Sequence, residues 1–183
     1  MDEGLKSILE EVGKGPLRSS VITASALIDA LLQKVLTRFL VDVPKLDELF
    51  KHNGALGSFS SKISMSFALG LISKELHDDI NQFRKIRNIC AHEFSIDEKL
   101  MNDIKSQVCN FQFLKHVELD AENKDVQYYL RLEFALILFC LIKRLENVQK
   151  LTEYEFEVRD NFPTFTEEEN KYITDFTNKM KAK

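Results

Sequence analysis

The chain has 183 residues, of which 44% are hydrophobic and 30% charged, with six glycines and three prolines. That balance excludes wholesale disorder, and so few turn formers favour long helices over many short strands. The net charge of −4 argues against a surface that coats a nucleic-acid backbone, which needs a basic excess.

A short first helix is expected over Leu5 to Val12, ended by Gly13-Lys14-Gly15-Pro16. The second, Leu17 to Val41, places Leu17, Val21, Ala24, Ile28, Leu31 and Val35 at steps of four and three on one face. Leu27, Leu32, Leu36 and Phe39 widen that stripe, which marks a central helix. Pro44 suits the opening of a short helix through Phe50, closed by Asn53-Gly54. Ser58 or Ser60 then caps a helix through about Leu71, rich in small residues that permit close approach. Ser73 caps the next, Lys74 to His92. Ser95-Ile96-Asp97-Glu98 has the pattern of a capping box and starts a helix to about Phe113. Lys115 to Lys124 is polar and reads as a loop. A long helix follows from Asp125 to Leu151, and Thr166-Glu167-Glu168-Glu169 opens a last one ending in Lys179, Lys181 and Lys183. The expected fold is an all-α bundle of about six to seven helices. A bundle domain covers residues 1–151, and a C-terminal extension over 152–183 carries the final helix.

Three cysteines, Cys90, Cys109 and Cys140, each stand in a predicted helix beside apolar residues, with no CxxC pair. Buried free thiols in a reducing compartment are expected. Met1-Asp2-Glu3-Gly4 lacks the apolar core of a signal peptide. The longest apolar run, Phe134 to Ile142, is far short of the about 20 residues that span a bilayer. A cytoplasmic location without a membrane partner follows.

One polar cluster stands out, Arg87-Asn88-Ile89-Cys90-Ala91-His92. Leu76, Ile80 and Phe83 form an apolar stripe, and continuing it by four residues puts Arg87 in its middle, beside Cys90 and Ala91. A buried guanidinium requires a partner or an open cleft. Asp29 and Glu133 are the candidate partner carboxylates. If such a pair exists, removing Arg87 should cost about 3–5 kcal/mol. His92 lies about 140° further round the helix, so the two side chains converge only at a helix end or through a second subunit. His92 alone would serve to cap the last carbonyls. His52, His77, His92 and His116 are scattered, and Cys90-x-His92 is a weak metal pattern. No Gly-rich phosphate loop or nucleophile elbow is present. No metal or cofactor is expected.

Several of these stretches resemble the mannitol operon repressor family. They are Arg18-Ser19-Ser20-Val21-Ile22-Thr23-Ala24, Leu46-Asp47-Glu48-Leu49-Phe50, Gly57-Ser58-Phe59-Ser60-Ser61-Lys62-Ile63 and Phe67-Ala68-Leu69-Gly70-Leu71-Ile72. Ile86-Arg87-Asn88-Ile89-Cys90-Ala91-His92 completes the series. The resemblance implies a helical, non-enzymatic regulator that acts on transcription through protein contacts, with little or no direct binding of duplex DNA and an unidentified regulatory protein as partner. Arg87-x4-His92 is also similar to the signature of HEPN domains, which commonly pair as homodimers; Phe94 stands where some toxin members carry tyrosine. That likeness implies the alternative, a metal-independent ribonuclease acting on RNA. In it Arg87 polarises the scissile phosphate, Asn88 orients and His92 carries the proton.

Overall fold

A computed structural model describes residues 10, 12–92, 97–116, 125–152, 158–159, 162–163, 166–168 and 170–171. The chain divides into two compact units, Met1–Leu151 and Thr152–Lys183. The first unit is a helical bundle. Its helices are α1 (Leu17–Phe39), α2 (Phe59–Ala68), α3 (Lys74–His92), α4 (Glu98–Val108) and α5 (Val126–Asn147), with 3-10 turns at Leu46–Phe50 and Phe113–His116. In the second unit, Val158–Arg159 (β1) pairs antiparallel with Phe162–Pro163 (β2). No larger sheet exists among the described residues.

The helix that opens the bundle is central, as its stripe requires. Val21, Ala24, Ile28, Leu31, Leu32, Val35 and Leu36 of α1 are buried, and α1 packs most extensively on α5, then on α3 and α2. By length and hydropathy alone α1 could cross a bilayer, but its apolar face is the bundle core. The main cluster joins Ile28 and Leu32 to Ile80, Phe83 and Ile86 of α3, Ile104 of α4, and Phe134, Ile137 and Leu141 of α5. Phe83 stands at its centre, 6.3 Å from the ring of Phe111 and 6.4 Å from that of Phe134. A smaller cluster of Val35, Leu36, Leu56, Leu71 and Val148 closes the opposite end.

Local chemistry sets most boundaries. Ser58 caps α2 by accepting from the Ser61 amide at 3.0 Å. The helix ends at Ala68, three residues before the expected Leu71, because Gly70 takes a left-handed φ of 66° that suits only glycine at low cost. Ser73 caps α3, accepting from the Leu76 amide. The first helix runs through Lys14 before breaking, two residues beyond the expected Val12; residues 1–9, which hold its predicted start, lie outside the described set. Pro44 sits in the turn ahead of the 3-10 segment rather than on its first residue.

The expected Ser95 capping box gives way to Asp97, whose carboxylate accepts from the Leu100 amide at 2.8 Å; Ser95 itself lies outside the described residues. Its helix ends at Val108 and not near Phe113, since residues 109–112 turn and a 3-10 segment follows. The predicted loop is entered from that segment, which includes Lys115 and His116. Asp125 caps α5 through the Gln127 amide. Thr166 starts the last helix, with the Asn170 amide donating to its carbonyl; the terminal lysines fall outside the described residues.

Candidate functional site

The stripe of α3 does not run through Arg87. Leu76, Asp79, Ile80, Gln82, Phe83, Ile86 and Cys90 are the buried residues of this helix, whereas Arg87 is exposed. The step from Phe83 is three residues, to Ile86, and then four, to Cys90. Arg87 therefore sits on the flank, and the expectation of a guanidinium buried against Asp29 or Glu133 is overturned. Its hydrogen bond goes to its neighbour, Nη1 donating to Asn88 Oδ1 at 3.1 Å. Asp29 accepts instead from Lys62 Nζ at 2.8 Å. Lys62 also donates to Gln33 and is itself buried.

Arg87 and Asn88 line a cleft of about 430 Å3. Arg84, one turn earlier on α3, lines it with them, as do Ser58, Phe59 and Ser60 at the start of α2. Ile22, Ser25, Ala26 and Asp29 of α1 form the opposite wall. The 3.6-residue repeat explains the sharing: positions 84, 87 and 88 fall on one side of α3, and 22, 25, 26 and 29 on one side of α1. Neither arginine has a carboxylate partner among the described residues. Arg84 Nε donates to Asn81 Oδ1 at 3.4 Å, a long bond between neutral and charged groups.

His92 is exposed and does not belong to the lining of this cleft. Within one chain, then, Arg87 and Asn88 are brought together and His92 is not. Because Arg87 is exposed and unpaired with a carboxylate, Arg87→Ala should leave the thermal midpoint nearly unchanged, with a stability effect of about 0.5 kcal/mol or less. A drop equivalent to several kcal/mol in a melt of this variant would contradict the exposed placement.

The most perturbed group among the described residues is Glu133, expected from the sequence only as a possible partner for Arg87. Glu133 of α5 is completely buried, and neither of its carboxyl oxygens meets a donor. Burial, then the nearby charge of Asp79, then the hydrogen bond between the two carboxyls push its pKa up to about 9. At neutral pH Glu133 is protonated and is the donor of that bond. Asp79 of α3, equally buried, accepts from the backbone amides of Gln112 at 2.6 Å and Phe113 at 2.9 Å. Burial raises Asp79, and those two amides with Glu133 hold it back. The pair stitches α3, α5 and the turn after α4 together inside the core. Both carboxyls are shut off from solvent. The signal that pointed to it was a single acid, Glu133, at the head of an apolar run.

The thiols divide as well. Cys90 is buried and Cys140 half-buried, and burial raises both, with the Arg18 charge opposing it at Cys90. Cys109 is exposed, not buried, because α4 ends at Val108 and the thiol lies on the turn. Among the described residues no group of three or more His, Cys, Asp or Glu side chains is placed to hold a metal ion. On α5, Tyr128 and Phe139 are 54% and 60% exposed. With the exposed Ala135 between them, and Leu132 and Ile142 half-buried at the margin where α5 meets the core, they form an apolar ladder at steps of three and four.

Comparison with known proteins agrees with the bundle. No curated protein sequence matches the chain. A solved structure described as the MtlR-HPr complex from Escherichia coli contains a chain that superposes with a TM-score of 0.57 at 16% identity, covering 79% of this chain and 99% of that one. Residues 6–148 match the mannitol repressor family. The matched stretch takes in every helix from α1 to α5, and with it both the cleft and the carboxyl pair: the chain belongs to the mannitol repressor family.

Proposed function

We propose that this chain is a cytoplasmic, non-enzymatic regulator that acts on transcription by contacting another protein rather than by reading DNA. The observation that carries the reading is the apolar ladder on α5. A soluble helix normally turns polar residues outward, yet α5 presents Tyr128, Ala135 and Phe139 to solvent, with Leu132 and Ile142 half-buried beside them. Exposed aromatic and aliphatic side chains in a contiguous row are the surface chemistry of protein interfaces. The net charge of −4 supports the same reading, since it opposes broad contact with a phosphate backbone.

The structural neighbour is described in complex with HPr. By analogy, an HPr protein from the same organism is the candidate partner, docking on the α5 ladder. Two copies of the chain are expected to pair as well, since HEPN-like domains commonly do so. Calorimetric titration of the purified chain with HPr should show saturable binding, and Phe139→Glu should abolish it while leaving the melt unchanged. Sedimentation should show the dimer at tens of micromolar. Tight, sequence-specific binding of duplex DNA by the chain alone at physiological salt, with no response to HPr, would overturn the proposal.

A further inference from the structure

We propose that the cleft between α1, α2 and α3 binds a small phosphate ester that carries hydroxyl groups, and so serves as an effector site apart from the α5 ladder. Four features of the cleft converge on that chemistry. The first is charge. Lys62 neutralises Asp29 at 2.8 Å, so Arg84 and Arg87 leave an unmatched excess of two positive charges on one cleft of an acidic protein. Guanidinium groups match phosphoryl oxygens in a forked, two-point geometry.

The second is the start of α2. Ser58 Oγ is committed to the Ser61 amide, while the amides of Phe59 and Ser60, the first two of the helix, have no acceptor among the described residues. Free amides at a helix start favour an anion, and here they open onto the cleft the arginines line. The third is an unused acceptor. Asp29 Oδ2 takes Lys62, but Asp29 Oδ1 is shielded from solvent and meets no donor. A buried acceptor without a donor is costly; the Asp29 side chain as a whole is 32% exposed, so a small turn of the carboxylate presents the idle oxygen to a ligand hydroxyl. Ser25 Oγ, whose proton goes to the Val21 carbonyl, offers a second acceptor beside it. The fourth is size. A volume of about 430 Å3 lies in the range of small-molecule sites, and Ile22 and Ala26 supply an apolar wall for a carbon backbone.

The full chain, labelled with 15N, is titrated with glycerol 3-phosphate, inorganic phosphate and glycerol in separate arms, at constant ionic strength. The ester should shift the Phe59 and Ser60 amides saturably, inorganic phosphate should shift the same amides several-fold more weakly, and glycerol should shift neither. Arg84→Gln and Arg87→Gln should each weaken the ester by about tenfold or more while the circular dichroism spectrum and melting midpoint stay as in the parent. Both side chains reach solvent, so loss of folding does not confuse the result. Absence of a saturable shift at tens of millimolar ester overturns the proposal. So does binding that survives both arginine substitutions, inorganic phosphate binding as tight as the ester, or displacement of the ester from these amides by a short single-stranded RNA that binds more tightly.

Discussion

Glu133→Gln should make this protein markedly more stable at neutral and alkaline pH. Glutamine has the shape of the protonated acid and can still donate to Asp79, but it cannot ionise. The folded pKa of Glu133 is raised to about 9 from an ordinary value of 4.5. Its contribution is therefore fully present below pH 4.5. It is lost progressively as pH rises toward 9, because the unfolded chain ionises over that range and the folded chain does not. By pH 7 the handicap amounts to about 3 kcal/mol, and it grows further by pH 9. For a domain of this size the variant should melt higher by about 5–10 °C at pH 7. The difference between variant and parent should shrink toward zero near pH 4.5. Equal melting of the two proteins at pH 8 would show that Glu133 is not held protonated.

Asp79→Ala should have the opposite sign at every pH where the protein folds. The carboxylate is the acceptor for two buried amides, those of Gln112 and Phe113, and also for the proton of Glu133. An orphaned buried donor costs about 1–3 kcal/mol, so the substitution should lower stability by about 3 kcal/mol or more. The damage should be local first. The turn after α4 holds Phe111, fully buried against Phe83, and loosening it should expose the Gln112 and Phe113 amides to hydrogen exchange before the rest of the core opens. Asp79→Asn keeps one acceptor oxygen and should fall between parent and alanine. Urea unfolding ranks the three, and parent-like exchange at those two amides in the alanine variant would refute the capping role.

The helices were readable because their periodicity and caps are local. Ser73 and the run from Leu17 to Val35 involve residues within a turn or two of each other, and the chain forms α1 and α3 where they imply. The phase of α3 was not. After Phe83 both a three-residue and a four-residue step keep to one face, so sequence alone leaves Ile86 and Arg87 as equals. What decides is burial of Asp79 and Gln82 on the same side, polar residues that an apolar stripe does not count. Asp79 is buried because its partners lie more than thirty residues away at Gln112 and Phe113, and Glu133 is farther still. The cleft was half legible: Arg87 and Asn88 stood out as chemistry, but Ser25, Asp29 and Ser60 meet them only through the crossing of α1, α2 and α3. His92 stood out equally, and the cleft does not use it.

The dominance of the α1–α5 contact bears on how the protein is made. α1 is complete at Phe39, while its main partner begins at Val126, so at ordinary synthesis speeds on the order of 10 s separates them on the ribosome. Throughout that interval the widest greasy face of the nascent chain lacks its cover. A ribosome-stalled or prematurely terminated product ending before α5 would expose Ile28, Leu32 and Val35 together. Such a product is a natural client for chaperones and proteases, and clearance of the incomplete chain follows from the order in which its helices leave the exit tunnel.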